Sequence, residues 1–122
     1  MLEQFHSTKD SNEIWLTDDD NGLVSVAYLA PERMTVGTWN LYLIAVHPDH
    51  QRQGRGKALL DYIERLLVHR GERILLVETS ATDDFDYVRT FYRNNGFCEE
   101  ARIREFYAAG VDKIVYCKVL RS

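Results

Sequence analysis

Cysteine is scarce in this chain of 122 residues. There are two, Cys98 and Cys117, and they form no CxxC pair. That argues against a disulfide-dense scaffold and a structural zinc site, and makes two free thiols in a reducing compartment the simplest reading. Positive charge is not in excess. Fifteen Lys and Arg against nineteen Asp and Glu leave a net charge of −4, which speaks against a general nucleic-acid binder. No apolar run approaches the roughly 18 residues of a membrane span, and no basic-then-apolar leader pattern opens the chain. A soluble cytoplasmic protein without nucleic-acid or membrane partners is the expectation. Repeats and low-complexity stretches are absent. With 45% hydrophobic and 28% charged residues, the composition suits a single domain over 1–122 with one core. Residues 1–12 are polar and aperiodic, and are expected to be frayed or the stub of an element.

What is present is a succession of short elements. Glu13–Thr17 and Leu23–Leu29 read as strands joined by a hairpin turn over Asp18-Asp19-Asp20-Asn21-Gly22. The acidic run there reads as a solvated turn. Pro31 ends the second strand, Trp39–His47 is a third, and Pro48 stops it. A helix follows from about Gly54 to His69, with Leu59, Ile63, Leu66 and Leu67 as its buried stripe and Gly71 as its stop. Ile74–Thr79 is a short buried strand. Strand, helix and strand at this spacing predict a parallel βαβ unit. Asp83 or Asp84 caps a second helix ending near Asn94, with Phe85, Val88, Phe91 and Tyr92 on one side. Glu99–Phe106 and Lys113–Leu120 close the chain as a hairpin. The fold class is mixed α/β (α+β).

The segment Gln51-Arg52-Gln53-Gly54-Arg55-Gly56-Lys57 joins the third strand to the first helix. A helix N-terminus offers unpaired amides, the glycines let a ligand approach the backbone, and three basic residues add charge. A phosphate or pyrophosphate is the ligand this predicts. The nucleotide alternatives fit badly. The dinucleotide fingerprint would need a third glycine, and a magnesium-binding phosphate loop would need Ser or Thr after Lys57.

These residues resemble the GNAT superfamily of acetyl-CoA-dependent N-acetyltransferases. Its motif [Arg/Gln]-x-x-Gly-x-[Gly/Ala] is filled by Gln51, Gly54 and Gly56. The preceding Leu-x-Val-x-Pro strand form is matched by Ile44-Ala45-Val46-His47-Pro48. A helix ending aromatic-Tyr-x-x-x-Gly-Phe is matched by Phe91-Tyr92-Arg93-Asn94-Asn95-Gly96-Phe97. The resemblance covers about residues 13 to 120. It implies a mixed sheet with antiparallel N-terminal strands, a central parallel pair that splays into a V, and a C-terminal hairpin. Two departures stand out. Members usually carry a first strand and one or two helices before the hairpin at 13–29, where this chain has only about a dozen residues. The Asn and Ala often found seven and four residues before the helix tyrosine are Phe85 and Val88 here.

The resemblance implies acetyl transfer from acetyl-CoA to a primary amine by direct attack, with no metal. Backbone amides from Gln53 to Lys57 would hold the pyrophosphate, with Arg52 or Arg55 near its charge. The pantetheine arm would pair with Ile44, Ala45 and Val46, and a main-chain N–H at Ala45 or Val46 would polarise the thioester. Tyr92, a phenol with an ordinary pKa of about 10, is the candidate general acid. Glu78, closing the second parallel strand, is the first candidate base, and Glu32 the second. His47, with an ordinary pKa of about 6.5, precedes Pro48 and reads as structural. Cys98 and Cys117 lie outside the expected cleft. The alternative function is a non-catalytic coenzyme A- or acyl-CoA-binding module, a sensor or assembly subunit. Small amine, amino acid, aminoglycoside, protein N-terminus and lysine all remain open as acceptors. The short N-terminus is expected to leave apolar surface that a homodimer would cover.

Overall fold

The computed structural model describes residues 5–10, 13–19, 22–51 and 54–121, the first of these segments as backbone only. Among the described residues, seven strands and two α-helices follow one another: β1 (Phe5–Asp10), β2 (Glu13–Asp19), β3 (Leu23–Pro31), β4 (Thr38–Val46), α1 (Arg55–His69), β5 (Ile74–Ser80), α2 (Asp86–Asn94), β6 (Cys98–Ala108) and β7 (Val111–Val119). The strands form one sheet in the order β1-β2-β3-β4-β5-β7-β6. Every neighbouring pair is antiparallel except β4 and β5. The expected mixed sheet is therefore present. The polar segment before Glu13 contains an edge strand, since backbone pairing with β2 needs no apolar period of its own.

Parity places the core. Ile14 and Leu16 of β2, Ala27 and Leu29 of β3, Trp39 and Leu41 of β4, Leu75 and Val77 of β5, and Ile114 and Tyr116 of β7 all point to one face. Leu59, Leu60, Ile63 and Leu67 of α1 and Tyr92 of α2 pack onto it. Leu66, expected in the α1 stripe, is only half-buried. Gly71 does end α1, in the left-handed conformation at φ 82°. The opposite face of the sheet, carrying Trp15, Tyr28, Asn40, Tyr42 and Glu78, has no helix over it among the described residues. None of the described helices is long and apolar enough to cross a membrane.

Two expectations change here. The acidic turn is not wholly solvated, because Asp18 is completely buried. It continues the inward parity of Ile14 and Leu16, accepts a hydrogen bond from Ser25 Oγ at 3.3 Å, and faces Arg55 Nη1 at 3.6 Å. Asp20 and Asn21 of that turn lie outside the described residues. Asp83 and Asp84 do not cap α2. They sit in a 3₁₀ turn, Asp83–Phe85, and α2 begins at Asp86. Arg89, buried on α2, ties this connection down by donating to the carbonyls of Ser80 (2.6 Å) and Thr82 (2.9 Å).

Candidate active site

The parallel pairing of β4 and β5 is short. It runs from Thr38 opposite Ile74 to Leu41 opposite Val77 and stops there. At the same point β4 bulges against β3. Tyr28 pairs with Leu43 and Leu29 with Leu41, so Tyr42 is the extra residue. A bulge bends its strand and increases its twist. Beyond Leu41 the two strands part, and a cleft of about 710 Å³ opens between them. Its walls include Ile44, Glu78, Tyr87, Tyr92 and Tyr107 as well as Tyr42.

The free edge of β4 can be assigned by alternation. His47 N–H donates to the Val24 carbonyl at 2.6 Å. In an antiparallel pair, hydrogen-bonded and non-hydrogen-bonded positions alternate. Ala45, opposite Val26, then directs its N–H to β3, while the N–H groups of Ile44 and Val46 face the splay. Of the two residues the sequence suggested for polarising a carbonyl, only Val46 has its amide on the cleft side. Gln51 Nε2 donates to the Val46 carbonyl at 3.1 Å and so clamps the turn to the end of the strand.

The turn into α1 keeps its amides available. Gly54 is the N-terminal cap residue, left-handed at φ 74°, and no side chain caps the helix. The first turn contains no acidic residue. A helix start of this kind suits an anion by geometry and dipole together. Its described basic side chains are engaged elsewhere. Arg55 turns inward to Asp18, and Lys57 reaches Asp61 one turn on at 3.0 Å. An anion at this turn would meet chiefly main-chain amides among the described residues. Arg52 and Gln53 lie outside the described residues. A Cβ on Gly56 would meet the Phe91 ring at 3.6 Å and Val46 at 3.9 Å, which are ordinary contacts. Packing alone therefore does not demand glycine there, and approach of a ligand to the backbone gives a reason for it.

Tyr92 stands on α2 with its ring against Phe91 and Phe97 and its side chain in the cleft wall. Burial pushes its phenol up to about 12, so it is neutral and a donor at any physiological pH. Glu78 lies across the same cleft. Its Oε1 accepts from Lys113 Nζ at 3.3 Å, and its Oε2 from Asn40 Nδ2 at 2.9 Å. The same Asn40 nitrogen donates to Glu32 Oε2 at 3.3 Å, while Tyr42 O–H donates to Glu32 Oε1 at 3.2 Å. Asn40 is wholly buried and its Oδ1 has no hydrogen-bond partner. The two candidate bases are therefore joined through one amide. The Lys113 ammonium also rests 3.7 Å from the centre of the Phe106 ring. The Tyr42 phenol is pushed up by burial and by Glu32, and the Tyr107 phenol by burial and by Glu78.

Asn40, Lys113, Tyr42 and Tyr107 were not foreseen. Parity carried some signal for Asn40, a polar residue alternating with Trp39 and Leu41 in a buried strand. His47 makes a local contact that agrees with the structural reading. Its Nδ1 accepts from the Asp49 amide at 3.1 Å. Cys98 and Cys117 face each other across β6 and β7 as free thiols, away from the cleft lining.

A family model for the acetyltransferase (GNAT) domain matches residues 10–99. This chain belongs to the GNAT family. It is 34% identical over 82 residues to the ribosomal protein bS18-alanine N-acetyltransferase of Escherichia coli, covering 67% of this chain and 54% of the relative. The chain thus spans about half the length of the curated relatives it matches. A GNAT acetyltransferase from Desulfovibrio desulfuricans superimposes with a TM-score of 0.86 at 35% identity, covering 90% of this chain and 71% of that one. The fold is also shared with a GNAT acetyltransferase from Elizabethkingia anophelis with acetyl-CoA bound, at TM-score 0.79 and 18% identity, covering 90% and 78%. GNAT acetyltransferases bind acetyl-CoA or coenzyme A, and the open β4 edge and uncapped α1 turn of this member suit that ligand.

Proposed function

We propose that this GNAT domain transfers an acetyl group from acetyl-CoA to a primary amine by direct attack. The observation that carries the reading is the meeting of three elements at one cleft: the open β4 edge, the Tyr92 phenol and the Glu78 carboxylate. Acetyl-CoA supplies the thioester. The Gly54 turn and the first amides of α1 hold the pyrophosphate, and the edge from Ile44 to Val46 takes the pantetheine as an added strand. The Val46 N–H, directed at the splay, serves the carbonyl oxygen as negative charge develops. Glu78 accepts the proton that the amine sheds.

Tyr92 serves the departing sulfur. Full transfer from a phenol pushed up to about 12 to an alkyl thiolate, whose thiol is the stronger acid, is uphill. Tyr92 therefore donates a hydrogen bond to the developing thiolate, and the proton that completes the thiol comes from the amine. Glu78, in the cleft wall, is the group that takes that proton from the amine.

The test follows free thiol with acetyl-CoA and a panel of amines. A peptide with N-terminal alanine belongs in it, because the Escherichia coli relative is named for acetylating such a residue. Thiol release with at least one amine is expected, and Glu78→Gln should lower kcat by about 100-fold while calorimetry shows unchanged coenzyme A affinity. Tight coenzyme A binding with no release from any amine would reject the transferase in favour of a binding module.

A further inference from the structure

The cleft's lining is one-sided in charge. It includes the carboxylates of Glu78 and Asp84, four tyrosines and Phe85, and no Lys or Arg among the described residues. Just behind it Glu32 is held by two neutral donors, the Asn40 amide and the Tyr42 phenol. Glu78 has Lys113 as its counter-ion. Glu32 and Glu78 lie roughly 6 Å apart or less, the reach of two hydrogen bonds from one nitrogen. Among the described residues the splay thus holds two carboxylates, Glu32 and Glu78, against one ammonium, Lys113. Asn40, whose amide nitrogen bridges the two carboxylates, is wholly buried and its Oδ1 has no hydrogen-bond partner.

The reacting amine cannot supply a second positive charge, because it must be neutral to attack. On the rest of the helix-free face an aromatic row leads away from the splay. Tyr42 and Tyr28 lie 5.9 Å apart between ring centroids, and Tyr28 and Trp15 lie 4.5 Å apart. A second carboxylate accompanies it, with Glu13 Oε2 accepting from Tyr28 O–H at 2.8 Å. The row crosses two strand spacings, roughly 10 Å. Trp15 and Tyr42 are both exposed on it. Ring faces beside carboxylates favour cations over neutral or anionic groups.

Resting on the transferase reading above, we infer that the acceptor is a primary amine bearing a second cationic group, and that Glu32 with the Tyr42 ring receives that second cation. Glu32 is then a specificity residue. Two sources share this chemistry, a linear di- or polyamine and a basic peptide N-terminus, and the test separates them.

The probes are 1,4-diaminobutane against n-butylamine, and Ala-Arg-Arg against Ala-Ala-Ala with blocked C-termini. Thiol release gives kcat/KM, and calorimetry on the coenzyme A-loaded protein gives binding without turnover. At least one probe bearing the added cation should exceed its neutral-tailed partner about tenfold in both. The pair that shows the preference identifies the source. Glu32→Gln should reduce the preference to under about threefold, and added salt should reduce it in the unmodified protein. Equal handling of both members of both pairs would overturn the inference while leaving the transferase reading intact. So would a preference that survives Glu32→Gln. If no amine releases thiol, the transferase reading falls, and the binding ratios still decide whether a second cation is recognised.

Discussion

The proposed donor side and the proposed acceptor side of the cleft are built differently. The donor side is contiguous: β4, the Gly54 turn and α1 follow one another in the chain, and most of its ligand groups are main-chain. The acceptor side gathers Glu32 after β3, Asn40 and Tyr42 on β4, Glu78 on β5, and Tyr107 and Lys113 on the last hairpin. Its groups are side chains, brought together by the sheet order and by the place where β4 leaves β5. A backbone site depends on conformation and tolerates many side chains. A side-chain cluster fails when one member is changed. Substitutions on the two sides should therefore differ in kind, rate and specificity on one, affinity and stability on the other.

After Glu78, the largest effect that sharpens this contrast is expected at Tyr92, on the wall the two sides share. Tyr92→Phe keeps the ring packed against Phe91 and Phe97 and removes the donor. A fall of kcat by about 30-fold is expected, with coenzyme A affinity within twofold by calorimetry. A comparable loss of affinity would make Tyr92 part of donor binding and blur the division. The pH behaviour gives an independent check. The folded phenol, near 12, lies above its unfolded value of about 10. Between those values the unfolded chain sheds the proton first, so Tyr92 makes stability fall as pH rises from 10 to 12. Below pH 10 it stays protonated, so any alkaline limb of the rate there should persist in Tyr92→Phe.

The same contrast explains what could be read from the sequence. Gln51, Gly54 and Gly56 are a few residues apart, so spacing alone carries the donor turn. The strands and helices were legible from periodicity, apart from β1, whose backbone pairing leaves no hydrophobic trace. Tyr92 was proposed from the family resemblance and Glu78 from its place closing β5, and both line the cleft. The Asn40 bridge was not, because its meaning lies in Glu32 and Glu78, eight residues before it and thirty-eight after it. Lys113 is thirty-five residues from the carboxylate it pairs with. The Asp18–Arg55 contact was hidden by composition. Three consecutive aspartates look like a solvated turn until strand parity turns the first one inward.

That contact is where the donor side departs from pure backbone, and Asp18→Ala tests how far. Removing the carboxylate leaves Arg55 without this partner beneath the turn. Deleting one member of a fully buried pair costs about 3–5 kcal/mol, and the one-fifth exposure of Arg55 reduces this to about 2 kcal/mol. Chemical denaturation should show that loss, and calorimetry a weakening of coenzyme A binding by about fivefold as Arg55 no longer fixes the helix start. The acceptor preference between diamine and monoamine should not change. Full affinity in a destabilised protein would show that the pair serves the fold alone.

The smallest effect is expected at Gly54, and it isolates conformation from side-chain chemistry. A Cβ there would meet nothing within 4 Å, so no clash enters. What enters is the left-handed backbone, φ 74°, which costs a residue with a Cβ about 1 kcal/mol. Gly54→Ala should therefore lower stability by about that amount. Coenzyme A affinity should fall only as far as the turn relaxes, about threefold, with kcat unchanged once the donor is saturating. Gly54→Asn, which tolerates the left-handed region, should recover most of the loss. If alanine were neutral and asparagine harmful, the turn would not need its conformation, and the donor side would depend on the space beside its backbone instead.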